Sequence, residues 1–402
     1  MKIWQPIAIA VAVCLAAVFL IIGGCKNGLW ISGSTIVTRS QDGAVTVRGL
    51  GSAKYRSNTM PPNLGFGAMK DYHFTKRPPW LRDSIDYASI TSVTIGNGVT
   101  HVGSFAFLFC DNLTSVTFGR DVLVIGYGAF WGTGLTSLTL PNSLIEIEKF
   151  AFANSTSLIS VTIPQSVRSI GSNLNALDNS PRLTSINVDK GNRNYSSVDG
   201  MLFNKKGDKL LIYPCGKGST YTIPANVISI LSPFDNCAGL TDIFADESNM
   251  KFTSAGGVLF NKDMTRLERY PEGKHGSAYT IPDGVTEIYV GAFYQCTGLT
   301  SVTIPNSVVE ISTGAFSYCT SLTSITISNN MAKIGTNAFL GCTGLKSMTS
   351  LNPVPPVIEN RGAFKEVNAC LYVPESSISA YRTAFAWKDF ECIKPLSEAP
   401  AM

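Results

Sequence analysis

A short motif recurs along most of this chain and constrains its fold more than any other feature. Leu113-Thr-Ser-Val116-Thr-Phe118, Leu135-Thr-Ser-Leu138-Thr-Leu140-Pro141 and Leu158-Ile-Ser-Val161-Thr-Ile163-Pro164 open three units spaced 22 and 23 residues apart. Leu299, Leu322 and Leu345 open three more at intervals of 23. Each unit continues through a second short aliphatic stretch to an Ala-Phe step, at Ala106-Phe107, Ala129-Phe130, Ala151-Phe152, Ala292-Phe293, Ala315-Phe316, Ala338-Phe339 and Ala363-Phe364. Such a period marks a solenoid, in which one coil cannot bury its own aliphatic set and stacked coils can. Length therefore does not convert into a domain count.

Within Leu299-Thr-Ser-Val302-Thr-Ile304-Pro305 the alternation of a strand sends Val302 and Ile304 to one face and Ser301 and Thr303 to the other. Pro305 lacks an amide hydrogen and ends the strand. Val308 and Ile311 then predict a second short strand, and Gly314-Ala315-Phe316 a tight helical turn that inserts Phe316 into the core. The expected fold is a repeat solenoid, mostly β, of short parallel strands joined by helical or 3-10 turns.

The period and pattern resemble the BspA-like, or Treponema-type, leucine-rich repeat, and the resemblance spans residues 90–370. It implies a curved scaffold that binds other macromolecules, with adhesion to host matrix glycoproteins or other cells as the role. The first 25 residues resemble a bacterial lipoprotein signal peptide: Lys2, an apolar run from Ile7 to Ile22, then Ile22-Gly23-Gly24-Cys25, in which the Cys25 thiol would take the lipid. The alternative is an uncleaved membrane helix. Lipidation implies an outer-membrane lipoprotein exposed at the cell surface. Surface-exported lipoproteins of the Bacteroidetes often carry acids after the lipidated Cys, whereas Lys26-Asn27-Gly28 follows here, which leaves a periplasm-facing location and an envelope scaffold open.

The domain reading is a signal peptide at 1–24, a tether and N-terminal cap at 25–89, the repeats at 90–370 and a C-terminal cap at 371–402. Gly67 to Tyr72 and Pro79-Trp80 belong to the first cap. Ser376 to Phe390 reads as an amphipathic capping helix with Ile378, Tyr381, Phe385 and Trp387 on its apolar side. Two coils are stretched by matching segments at an offset of 57, one with Phe203-Asn204-Lys205 and Tyr213-Pro214, the other with Phe260-Asn261-Lys262 and Tyr270-Pro271. Each reads as a β-hairpin projecting from the solenoid, at about 190–222 and 247–280.

Two surfaces are candidates for binding. The outward strand positions form a ladder of Ser115/Thr117, Ser137/Thr139, Ser160/Thr162, Ser301/Thr303, Ser324/Thr326 and Ser347/Thr349. It suits close contact with a protein or glycan, and equally suits a parallel ladder facing water. The hairpins offer Lys205, Lys206, Lys209 and Tyr213, with Lys217 and Tyr221, and in the second copy Lys262, Arg266, Arg269 and Tyr270, with Lys274 and Tyr279. These are either a basic-aromatic recognition patch or charged turns that protect strand edges.

Charged residues make up only 15% of the 402, and Lys plus Arg exceed Asp plus Glu by four, too few and too scattered for a nucleic-acid footprint. No hydrolase, metalloprotease or phosphate-loop motif occurs, so no enzyme, cofactor or catalytic residue is expected. Asp189, Asn192, Asn194 and Asp199 could hold calcium, but their spacing fits no known loop and Gly256 replaces the last acid in the second copy. Cys110, Cys237, Cys296, Cys319 and Cys342 fall three residues after the aromatic position and are expected to pack as free thiols, with no metal site. Cys370 and Cys392 flank the terminal helix, and the sequence leaves their pairing open.

Overall fold

The computed structural model describes residues 35–39, 44–49, 90–171, 175–230 and 232–400. The lipobox with Cys25, and Gly67 to Trp80, lie outside them. No helix among the described residues is long and apolar enough to cross a membrane. The chain forms two compact units, Met1–Lys217 and Gly218–Met402, each a stack of short parallel strands around its own core.

In the first unit Ser92–Ile95 pairs in parallel with Ser115–Phe118, and Ser137–Thr139 with Ser160–Ile163, which in turn pairs with Ser185–Val188. The second strand of each coil is two residues long. His101–Val102, Val124–Ile125, Glu146–Ile147 and Ser169–Ile170 form a separate parallel sheet. In the second unit the same design runs through Ala278–Thr280, Ser301–Thr303, Ser324–Ile327, Ser347–Ser350 and Cys370–Val373. There the second strand is Glu310–Ile311, which starts two residues later than Val308; Val308 is buried just before it.

The corners explain why the repeat keeps Ala-Phe. Phe105, Phe107 and Phe109 donate their amides to the carbonyls of Tyr127, Ala129 and Trp131, one coil on, at 2.7–2.8 Å. The intervening amides close turns within the coil, as when Ala106 donates to Gly103 and Leu108 to Phe105. Alternating the amide direction requires a left-handed residue on each side of Ala-Phe, and Gly314 (φ 62°) and Tyr318 (φ 61°) supply it around Ala315-Phe316. Such a corner satisfies its backbone while dropping a ring inward, or at Asn175–Leu177 the Leu177 side chain. The rings stack coil on coil: Phe293, Phe316 and Phe339 lie 4.8 and 5.2 Å apart with planes within 7° of parallel. That distance is close to the strand spacing, so one geometry serves both backbone and side chains. Each fully buried Phe contributes about 2–3 kcal/mol of burial.

The stretched coils differ from the sequence expectation. Each insertion has three antiparallel strands, Tyr195–Val198, Met201–Asn204 and Lys209–Ile212 in the first copy and Phe252–Ala255, Val258–Asn261 and Arg266–Arg269 in the second. Each contains the expected hairpin, but it packs against the solenoid and does not project from it. Met201, Leu202 and Phe203 are consecutive and all buried, as are Val258, Leu259 and Phe260, because a register shift at the middle strand lets both faces pack inward. The third strand of the second copy pairs in parallel with Glu287–Ile288 and so serves as that coil's second strand.

At the N-terminal end, Thr35–Arg39 and Ala44–Gly49 form an antiparallel pair, and Ala44–Gly49 starts the parallel sheet beside Ser92–Ile95. At the C-terminal end the helix is only Ile378–Thr383, because Ala384 turns extended (ψ 145°), and left-handed Ala386 (φ 63°) then opens a 3-10 turn at Trp387–Asp389. Tyr381 and Trp387 are wholly buried as expected, whereas Phe385 lies outside, half exposed. Cys392–Pro395 then adds a last parallel strand beside Cys370–Val373, and Cys370 and Cys392 form a disulfide between the two.

Candidate functional site: the strand face and the inserted segments

The hydroxyl ladder is real but broken. Ser92/Thr94 stand in register with Ser115/Thr117, and Ser137/Thr139 with Ser160/Thr162. In the second unit Ser301, Ser324 and Ser347 form one column, and Thr303, Thr326 and Thr349 a second. Thus Ser115/Thr117 belong to one sheet and Ser137/Thr139 to another, which is not visible in a uniform repeat. Ser115, Thr117, Ser137, Thr139, Thr162 and Thr303 are exposed, while Ser160, Ser301, Ser324 and Thr326 are half-buried. Threonines one residue before the strands are already used structurally: Thr300 and Thr323 each donate to a backbone carbonyl of the preceding coil, at 3.0 and 3.1 Å.

The inserted segments do not carry the expected basic-aromatic patch. Tyr213 and Tyr270 are buried, and Tyr270 stacks on Phe293 at 5.2 Å in place of a corner phenylalanine. Tyr221 is buried and Tyr279 half-buried. Arg269 is buried as well: its Nη1 donates to Asp235 and to the Gly291 carbonyl, both at 2.8 Å, and its Nη2 to the Phe234 carbonyl at 3.1 Å. Arg266 pairs with the buried Glu268 at 2.6 Å and lies 4.2 Å above the Tyr289 ring. Lys206 pairs with Asp208, Lys217 with Asp199 and Lys274 with Asp242. Lys205, Lys209 and Lys262 are exposed. The reason is topological, since third strands that join the ladder carry their side chains into it.

Asn192 is no calcium ligand. Its Nδ2 donates to the carbonyls of Pro164 and Val167, at 2.8 and 3.0 Å, and its Oδ1 accepts from the amides of Asn194 and Tyr195. Asn249 repeats this at an offset of 57, with Pro224, Val227, Lys251 and Phe252. Both side chains are spent bracing the entry to an insertion. Their shared spacing was the signal, and a buried amide explains it without a ligand.

Cys110, Cys296, Cys319 and Cys342 are free and buried. Burial pushes the Cys110, Cys296 and Cys342 thiols up to about 12 and Cys319 well above its ordinary value. These are neutral packing groups. Cys237 departs from the expectation, because it is disulfide-bonded, as is Cys215, a cysteine the repeat pattern does not single out. Among the described residues no group of three His, Cys, Asp or Glu is placed to hold a metal ion.

Two further observations come from comparison with known proteins. Among solved structures the chain is similar to a leucine-rich repeat protein from Eubacterium ventriosum (21% identity, 92% of this chain and 84% of that one, TM-score 0.46). It is also similar to a leucine rich cell surface protein from Faecalibacterium prausnitzii (24%, 91% and 94%, TM-score 0.48) and to the pneumococcal vaccine antigen PcpA (18%, 92% and 100%, TM-score 0.40). No curated protein matches it. The BspA type leucine rich repeat region matches in six copies over residues 83–207 and 274–387, more than half of the chain, with the second inserted segment falling in the gap. With its periodic corners, paired short strands and stacked phenylalanines, the chain belongs to the BspA type leucine-rich-repeat family.

Proposed function

We propose that this protein is a non-enzymatic, lipid-anchored surface protein that binds a protein or glycoprotein ligand, in adhesion to host matrix or to other cells. The observation that carries the reading is the in-register hydroxyl face, two parallel columns of Ser and Thr on Ser301–Thr303, Ser324–Ile327 and Ser347–Ser350. Backbone pairing fixes these side chains, so little ordering entropy is lost when a partner seats on them. Cys25 would hold the scaffold at the membrane. Nucleic acid is not an expected partner at this charge.

The test combines exposure and contact. Protease added to intact cells should degrade the protein, and the purified chain should bind matrix proteins saturably. Arg substitutions at Thr139 and Thr303 place bulky charge on the two faces and should weaken that binding at least tenfold without lowering Tm. A protease-protected protein would favour the second reading, an envelope scaffold with bacterial partners, for which the basic Lys26 after the lipobox speaks.

A further inference from the structure

The left-handed positions that flank Ala-Phe are filled unevenly along the chain. Many are residues that tolerate positive φ, such as Gly128, Gly132, Gly291, Gly314 and Gly341, with Asn154, Asn179 and Asn337, while the second unit also places Gln295, Tyr318 and Glu366 there. In the first unit three are phenylalanines, Phe105 (φ 59°), Phe109 (φ 55°) and Phe150 (φ 58°). A bulky side chain is disfavoured there, and backbone held against its preference is concentrated at functional sites. Phe150 is buried, but Phe105 and Phe109 stay partly exposed beside a core that Phe107, Phe130 and Phe152 already fill.

The partly exposed rings of Tyr127 and Trp131 both pack on buried Phe150 at the corner. Phe105 meets Tyr127 edge to face at 5.2 Å, Tyr127 meets Phe150 at 5.5 Å, and Trp131 meets Phe150 at 5.1 Å. Glycines in the next coil make room for the rings: a Cβ on Gly128 would lie 2.9 Å from the Phe105 ring, and one on Gly132 2.5 Å from that of Phe109. Phe105, Phe109, Tyr127 and Trp131 are all partly exposed. The column that starts with Phe109 and Gly132 continues as Asn154 and Asn179, joined by an amide hydrogen bond of 2.6 Å from Asn179 Nδ2 to Asn154 Oδ1. The bond leaves the Asn154 Nδ2 donor and the Asn179 Oδ1 acceptor without a protein partner among the described residues. A Cβ on Gly132 would be 3.7 Å from Asn154 Nδ2, so the amide pair borders the Phe109 ring.

We infer that this corner is a binding site for a neutral glycan. Aromatic faces stack on the C–H faces of a pyranose, and an uncharged amide pair supplies one donor and one acceptor to adjacent ring hydroxyls. Seven of the positions concerned, Phe105, Gly128, Phe150, Phe109, Gly132, Asn154 and Asn179, are aromatic, Gly or Asn, so the columns themselves carry no charge to attract an ionic ligand, and the neighbouring Glu148 carboxylate is engaged by the Tyr127 amide. The site rests on the reading of the chain as a binding protein, but it lies at the corner and not on the strand face.

The experiment titrates the purified full-length protein with cellohexaose, laminarihexaose and mannohexaose, following tryptophan emission and isothermal heats. At least one hexasaccharide should bind saturably at millimolar or tighter affinity. Trp131→Ala should weaken it tenfold or more, Trp131→Phe should retain it, and Asn154→Ala should weaken it severalfold. Because Trp131→Ala could disturb packing, a Phe105→Gly/Phe109→Asn variant is measured in parallel. It installs residues that other coils already carry at those positions, so it should keep the native Tm and still lose binding tenfold. Absence of saturable binding by the unaltered protein to all three sugars, or full binding by that double variant, overturns the site. Matrix-protein binding by the corner variant separates the two proposals. If it persists while glycan binding never appears, the strand-face reading stands and the corner fails; if both are absent, the binding reading itself fails.

Discussion

Cys319 Sγ donates to the carbonyl of Phe293, one coil back, at 3.0 Å, and Cys342 Sγ repeats the contact with Phe316 at the same distance. A thiol is small enough to stack at the coil spacing and still bonds a carbonyl that would otherwise be buried with fewer partners. These cysteines therefore hold the corners together as weak donors, which the repeat pattern alone presents merely as small residues.

The buried thiols should be inert in the native state. A thiol reagent at pH 8 should label Cys110, Cys296, Cys319 and Cys342 only after unfolding, as counted by mass spectrometry of the folded and denatured protein. Their folded pKa values lie above those of the unfolded chain, so the stability they support is complete below about pH 9 and falls as pH rises toward 12. Cys342→Ala should flatten that alkaline slope; an unchanged slope would rule out this origin.

Removing the Asn192 side chain leaves two carbonyls and two amides without their partner. Asn192→Ala should cost about 2–4 kcal/mol, as for several buried hydrogen bonds lost together. Asn192→Asp should cost more, since a carboxylate cannot donate to Pro164 and Val167 and would face their oxygens. Urea titrations of both variants measure this, and Asn249→Ala should give a similar loss.

Glu268 is buried beside Arg266, and burial pushes its carboxyl above the usual range although Arg266 opposes this. A raised carboxyl supports the fold below the unfolded pKa and loses that support as pH rises through the folded value. The first insertion carries Lys209 and Leu211 at the matching positions, with Leu211 in the core. Replacing a buried pair by apolar packing is commonly neutral or stabilising. The double variant Arg266→Lys/Glu268→Leu should gain about 1–2 kcal/mol at pH 7 and less at pH 4. Thermal melts at both values decide it, and a loss at pH 7 would show that the pair is worth more than its desolvation costs.

The Cys370–Cys392 bond closes a sequence separation of 22 over the terminal cap. Chain entropy for a loop of that size corresponds to about 3 kcal/mol. A Cys370→Ser/Cys392→Ser variant should therefore melt several degrees lower, with the first loss of amide protection in Cys392–Pro395, the last strand of its sheet. Hydrogen exchange locates that loss; uniform deprotection would mean that the cap does not open by itself.

Much of the architecture was legible because inward positions recur. Val302, Ile304 and Phe316 are buried as their spacing requires, and the Ser and Thr between them face outward. The inserted hairpins pack inward and do not project, for a reason that is equally physical. Alternation in Met201-Leu202-Phe203 is absent because both faces are covered, and a strand covered on both faces cannot be told from local sequence as projecting or packed. Phe385 fell on the apolar side of a 15-residue helix that in fact ends at Thr383. The aromatic corner was invisible since Phe105 and Phe109 look like surplus core residues until their φ angles are known.

The sequence by itself determined the coil, because a strict period leaves each aliphatic residue one place to go, and with it the family. Tertiary structure alone decided where the hydroxyl ladder breaks, which charges are spent in buried pairs, and which cysteines are bonded. Those outcomes depend on contacts between residues tens of positions apart, such as Arg269 with Asp235 and Asn192 with Pro164, and a repeating local pattern carries no record of them.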